Sequence, residues 1–130
     1  MIVLDASALL ELLLATPKAA PIAARALTSE HTLHVPHLID AEVAQVLRRL
    51  QLCGSVGAAR ADQALSDFAD LPLTRHEHTV LLPRVWALRN AMTAYDALYV
   101  ALSEALPAPL LTCDARLARA HGHGASVELF

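Results

Sequence analysis

The chain opens with Met1-Ile2-Val3-Leu4, an uninterrupted apolar run that stops at Asp5, the pattern of a short strand buried on both faces. Ser7 to Leu14 follows with helical composition, so the first predicted unit is a strand and then a helix. A second helix is expected from about Lys18 to Thr28, and a short strand from Thr32 to Val35. Pro36 suits a helix start, and Ile39, Val43, Val46, Leu47 and Leu50 recur at three- and four-residue spacing. That spacing predicts an amphipathic helix ending near Cys53-Gly54. Ser55 to Ala69 reads as a further helix with Val56, Ala59, Leu65 and Phe68 on its buried side, and Leu71 to Thr74 reads as a strand. A helix fits Thr79 to Asn90, or a shorter one with Pro83 in its first turn; Trp86 and Leu88 are expected in the core, with an exposed aromatic surface near a site as the alternative. Ala94 to Leu106 is helical, and Pro107-Ala-Pro109 stops it before the apolar strand Leu110 to Cys113. A short helix, Asp114 to Ala120, and a strand near Ser126 to Leu129 complete the pattern. Strands alternating with helices predict an α/β fold, a parallel sheet covered on both faces.

With 130 residues, the sequence reads as one domain, 1–130, without repeat or linker. Its 55% hydrophobic and 18% charged content excludes the class that stays disordered. The most apolar stretch, Met1 to Ala15, is cut by Asp5 and Glu11, far short of the roughly 20 apolar residues a bilayer span needs. The first cation is Lys18, so no export signal is expected and a cytoplasmic location is. Cys53 and Cys113 have no metal-like spacing and are expected as buried, reduced thiols. The net charge of −3 argues against passive attraction to a polyanion, so a nucleic-acid substrate would need help that metal ions can give. All cations but Lys18 are arginines, which suit planar contacts to phosphate or carboxylate alike.

Four acids stand out. Asp5 and Asp114 each follow an apolar strand and precede a helix, placing both at carboxyl ends of parallel strands, where open α/β sheets bind ligands. Helix capping is the competing role for each. Glu42 has Leu38, Ile39 and Val46 as helical neighbours, so its carboxylate lies at the margin of an apolar stripe and needs a partner, an arginine or a cation. Asp96 falls in the first turn of its helix, where Thr93-x-x-Asp96 also resembles a capping box. Acids recurring at sheet ends and inward helix margins, with no lysine near them in sequence, have one common explanation in a hard divalent cation such as Mg²⁺ or Mn²⁺. Set aside, they leave nine acids against ten basic residues, so a metal would turn a repulsive site into an anion-binding one.

Several segments together resemble the PIN-domain family of ribonucleases, in particular the bacterial VapC-type toxins of toxin–antitoxin pairs. They are Val3-Leu-Asp5-Ala-Ser7-Ala-Leu, Val35-Pro-x-x-x-x-Ala-Glu42-Val with Leu47-Arg48-Arg49, Thr93-Ala-Tyr-Asp96-Ala-Leu-Tyr-Val-Ala-Leu, and Leu111-Thr112-x-Asp114-x-Arg-Leu-Ala. The resemblance spans nearly the whole chain and implies a three-layer α/β/α sandwich around a parallel sheet of about five short strands. It implies metal-assisted hydrolysis of RNA phosphodiesters at Asp5, Glu42, Asp96 and Asp114, with Mg²⁺ or Mn²⁺ as cofactor and Ser7 and Thr112 as accessory polar positions. Asp5, Asp96 and Asp114 would hold metal directly, and Glu42 would ligate it or orient the water. Where the family often carries another acid shortly after the last one, Arg116 stands here. The resemblance further implies a small antitoxin that blocks the acidic site; the apolar helices near the N-terminus and around Leu47 to Leu52 are candidate partner or homodimer surfaces.

The competing classes lack their residues. Aspartate-based phosphatases use Asp-x-Asp where this chain has Asp5-Ala-Ser7, and Lys18 is misplaced for a phosphoacceptor receiver. A non-catalytic, partner-binding module of the same fold would be expected to lose site acids. His76-x-His78 and His121-x-His123 lack a cysteine or carboxylate framework for zinc and are expected to be solvated. There is no glycine-rich phosphate loop and no serine nucleophile elbow.

Overall fold

Ile2–Leu4 forms strand β1, and its lack of any polar side chain has a simple cause: all three residues are fully buried. The computed structural model describes residues 1–130 and places β1 at the centre of a five-stranded sheet ordered β3-β2-β1-β4-β5. The other strands are β2, Leu33–Pro36; β3, Leu73–His76; β4, Leu110–Thr112; and β5, Val127–Leu129. Every pairing is parallel, with Val3 opposite His34 on one side and Leu4 opposite Leu111 on the other.

Seven helices cover the sheet: α1, Ala6–Leu13; α2, Ala19–Ala26; α3, Ile39–Leu52; α4, Ala58–Asp70; α5, Leu82–Ala87; α6, Ala94–Ala105; and α7, Ala115–Arg119. The first four pack on one another, while α5 packs on α6, which lies across β1, β2 and β4. The result is the expected α/β/α sandwich. The helix α6 is apolar nearly all round, buried from Ala97 to Ser103, because it is pressed against the sheet. Its Ser103 donates to the Ala108 carbonyl at 2.5 Å, satisfying the backbone of the turn into β4. The core is one cluster of 29 buried residues built from β1, β2, β4 and the inward faces of α1, α3 and α6. No helix is long and apolar enough to cross a membrane.

Four expectations need correction. The helix expected over Ser55 to Ala69 is Ala58–Asp70, and its inward face is Ala61, Ala64 and Phe68, with Val56 half-buried, Ala59 exposed and Leu65 47% exposed. Small residues let α4 lie close against α1 and α3, and Arg60 crosses to donate to the Leu13 carbonyl at the end of α1. Cys53 is exposed, not buried, because it caps α3 at a solvent-facing turn; Cys113 is half-buried. Of the two readings of Thr79 to Asn90, the shorter holds: a 3₁₀ turn, Thr79–Leu81, precedes the six-residue α5 with Pro83 in its first turn. So short a helix turns only Val85 inward; Leu88 beyond it is buried as expected, but Trp86 is exposed. The histidines are less solvated than expected: His76 is half-buried and shares a 2.8 Å hydrogen bond with buried His34, and His78 and His123 are half-buried.

Candidate active site

The order of the strands reverses between β1 and β4, and in open parallel sheets the crevice at the carboxyl ends of such a pair is where ligands bind. Asp5 follows β1 and Asp114 follows β4, so both acids flank this crevice. Asp5 sits at the N-cap of α1, yet its side chain makes no capping bond. Its Oδ2 instead accepts from Ser7 Oγ at 2.5 Å and from Thr112 Oγ1 at 2.7 Å. Those two hydroxyls are themselves tied to the β4–α7 turn: the Cys113 N–H donates to Ser7 Oγ at 2.9 Å and the Asp114 N–H to Thr112 Oγ1 at 3.0 Å. A continuous network therefore fixes a carboxylate that is only 7% exposed, across two neighbouring strands.

Asp114 does cap its helix, accepting from the Arg116 N–H at 2.7 Å, and meets the Arg116 guanidinium at 3.3 Å. Burial pushes its carboxyl up, but the Arg116 backbone and guanidinium donors outweigh this and hold it below the usual range. Asp96 lies in the first turn of α6, where Thr93 rather than Asp96 supplies the cap by accepting the Asp96 N–H at 3.2 Å. Burial raises the Asp96 carboxyl, and the negative charges of Asp5 and Asp114 add to the rise. Glu42, in the first turn of α3, has no arginine partner; its Oε2 accepts from the Tyr99 hydroxyl. Burial raises its carboxyl too, against the Tyr99 hydrogen bond, with the charges of Asp5 and Asp96 adding.

Four separate elements bring the predicted acids toward one end of the sheet, where Glu42 feels the charges of Asp5 and Asp96, and Asp96 those of Asp5 and Asp114. They do not close on a common point: no three His, Cys, Asp or Glu side chains form a ready metal cage. Asp5, Glu42 and Asp114 each have an oxygen held by a hydroxyl or by Arg116. The donor chemistry nonetheless fits a hard divalent cation, since every donor is a carboxylate oxygen and the ionised forms of Glu42 and Asp96 are opposed by their neighbours' charge. Beside the acids runs a cavity of about 650 Å³ between α1 and α3, lined by Ser7, Glu42 and Tyr95 and then by apolar Leu10, Leu14 and Val46.

Tyr99 is the site residue to which the sequence reading gave no role. Its signal was a lone hydroxyl in the apolar run Ala97 to Leu102, one helical turn past Asp96. The ring is fully buried beneath the acids, and burial, with Glu42 beside it, pushes its ionisation far up, so it remains a donor.

A small parallel α/β sandwich with carboxylates gathered at its switch point defines the class. The PIN domain family matches residues 2–122, and the chain belongs to that family. It is 46% identical over 117 residues to a VapC ribonuclease of Mycobacterium bovis, covering 90% of this chain and 88% of that one. It is 42% identical over 129 residues to the ribonuclease VapC12 of Mycobacterium tuberculosis, covering 99% and 98%. In fold, it resembles the crystal structure of VapBC2 from Rickettsia felis bound to a DNA fragment from their promoter, with a TM-score of 0.72, 16% identity and coverage of 99% and 98%. It also resembles PAE2754 from Pyrobaculum aerophilum, with a TM-score of 0.73, 23% identity and coverage of 97% and 81%.

Proposed function

We propose that this chain is a ribonuclease of the VapC type, the toxin half of a toxin–antitoxin pair, acting in the cytoplasm as one domain over residues 1–130. Its kinship with VapC ribonucleases along almost its whole length supports the reading. The observation that carries it is the Asp5 carboxylate, held by Ser7 and Thr112 at the sheet's switch point, with Asp114 at the end of the neighbouring strand and Glu42 and Asp96 on the helices beside it.

Asp5, Asp96 and Asp114 would hold Mg²⁺ or Mn²⁺, with Glu42 as a further ligand or as the group that orients water. Such an ion lowers the pKa of water and offsets the charge that builds on a phosphate under attack. Ser7 and Thr112 hold the Asp5 carboxylate by one oxygen, so the other is presented in a fixed direction. Tyr99 does the same for Glu42, leaving Oε1 to accept a proton from the attacking water. Arg116, 86% exposed on its side chain and paired with Asp114 only at 3.3 Å, can swing to a phosphate.

The partner is a small antitoxin that lies along the α1–α3 cavity and presents a basic side chain to the acids. A homodimer would use apolar surface of the kind exposed at Leu52 on α3. The deciding experiment is cleavage of total bacterial RNA by the purified chain in Mg²⁺ or Mn²⁺, against EDTA and against Asp96→Asn shown to be folded. Metal-dependent cutting lost in the variant is the expected result. Equal cutting in EDTA, or by the variant, would overturn the assignment.

A further inference from the structure

Trp86 is the single tryptophan of the chain, and it is 69% exposed in the last turn of α5. An indole normally buries more apolar area than other side chains, so a ring left in water is not explained by packing. Arg89 accompanies it: the guanidinium carbon lies 5.0 Å from the ring centroid, and Nη1 donates to the Trp86 carbonyl at 2.8 Å. No carboxylate pairs with Arg89, so its remaining N–H donors are uncommitted. The chain then turns, with the Ala91 and Met92 N–H groups donating to the Leu88 carbonyl, and enters α6. Tyr95, in the first turn of α6, is 61% exposed, directly precedes Asp96, and lines the same cavity as Ser7 and Glu42. Two exposed aromatic rings and a guanidinium without a carboxylate partner thus flank the turn that leads into the acidic site.

We propose that Trp86, with Arg89 and Tyr95, forms a stacking surface for bases of single-stranded RNA flanking the phosphate to be cut. This rests on the ribonuclease reading and adds how the substrate is held. A chain with net charge −3 cannot gather a polyanion by bulk attraction, so affinity must come from local contacts. Aromatic faces stack any base, and a guanidinium with free donors matches a phosphate, the combination used by surfaces that grip single strands. Arg89 occupies one face of the indole and leaves the other for a base. RNA is favoured over a protein partner because the two rings flank the turn that leads into the helix bearing Asp96 and because the remaining Arg89 donors suit phosphate.

The single tryptophan is its own probe. In EDTA, a short single-stranded RNA of random sequence is titrated into the intact chain, with indole emission and the anisotropy of labelled RNA followed together. Emission quenched with the same Kd as the anisotropy is expected. Trp86→Ala should raise Kd and the KM for cleavage on the order of tenfold, as loss of one base–aromatic stack does. Its kcat and urea midpoint should stay near wild type, and Trp86→Phe should recover most of the affinity. RNA binding with unchanged emission, or an unchanged Kd in Trp86→Ala, overturns the proposal. So does an emission shift that follows protein concentration without RNA, which would assign the ring to a contact between two copies. A wild-type chain that cuts RNA while Trp86→Ala keeps its KM overturns the stacking surface alone. Quenching by RNA without cutting in either metal overturns the ribonuclease reading and leaves the stacking surface standing.

Discussion

Replacing Thr112 by valine tests the network that holds Asp5. Thr112 is fully buried, and its hydroxyl donates to Asp5 Oδ2 at 2.7 Å while accepting the Asp114 N–H at 3.0 Å. Valine has nearly the same shape, so no cavity opens and the change isolates these two hydrogen bonds and the longer 3.2 Å contact with Ser7 Oγ. Losing a bond to an ionised acceptor costs about 1.5–3 kcal/mol. Stranding the Asp114 N–H adds about 1 kcal/mol, the low end for a lost partner, since Asp114 is only half-buried and water can reach it. Together the loss is roughly 2–4 kcal/mol, a large part of the ~5–15 kcal/mol that stabilises such a chain. With a urea slope of about 2 kcal/mol/M, the unfolding midpoint in EDTA should fall by about 1–2 M. Thr112→Ser keeps the hydroxyl and removes one buried methyl, which costs about 1 kcal/mol. A valine variant that loses less than the serine variant at equal slope would refute the reasoning, because the hydroxyl would then contribute nothing to folding.

Three other outcomes follow from the same geometry. Asp96→Asn should be at least as stable as wild type in EDTA at neutral pH, since burial and the charges of Asp5 and Asp114 oppose ionised Asp96; added Mn²⁺ should raise the Tm of wild type only, read by thermal unfolding. Tyr99→Phe, which takes the only donor from Glu42, should cost about 1–3 kcal/mol in urea unfolding at neutral pH and slow RNA cleavage with little change in KM. Glu104 accepts from Arg84 at 2.7 and 2.9 Å and from the Gly124 N–H at 2.8 Å, and the Arg84 hydrogen bonds hold its carboxyl below the ordinary 4.5 despite partial burial. A depressed acid stabilises the fold above its unfolded value and loses that contribution as pH falls through the folded one. Glu104→Gln should therefore cost about 1 kcal/mol near neutrality, and the gap to wild type should close as the pH drops below about 4.5 in an unfolding series.

The acids were legible because each interrupts an apolar pattern at a place where polarity is costly. Asp5 ends a fully buried strand, and Glu42 edges the stripe of Ile39, Val43 and Leu47. What each acid is doing was not legible from neighbours in sequence. For Asp5, helix capping and ligand binding were competing readings; the structure shows no cap bond, and the donor that holds its carboxylate, Thr112, is 107 positions away. The same limit hid Tyr99, whose partner Glu42 is 57 positions distant. Hydrophobic size misled at Leu65 and Trp86. On α4 the inward face is chosen by close approach to α1 and α3, which favours Ala61 and Ala64 over a leucine. On α5 six residues are too few to define a stripe. Pattern reading recovers elements whose burial is set locally and fails where a neighbouring element decides which side faces in.

The network around Asp5 also dictates when the site can exist. Its two halves come from opposite ends of the chain: Asp5 and Ser7 with β1, Thr112 and Asp114 with β4, and the Thr112 carbonyl is in turn held by the N–H of Phe130. During vectorial synthesis the first helices can gather on β1 and β2 while the residues that complete the acid cluster have yet to be made. Asp5, Glu42 and Asp96 therefore precede the second half of the network, and the Asp5 carboxylate gains its Thr112 donor only when β4 joins the sheet.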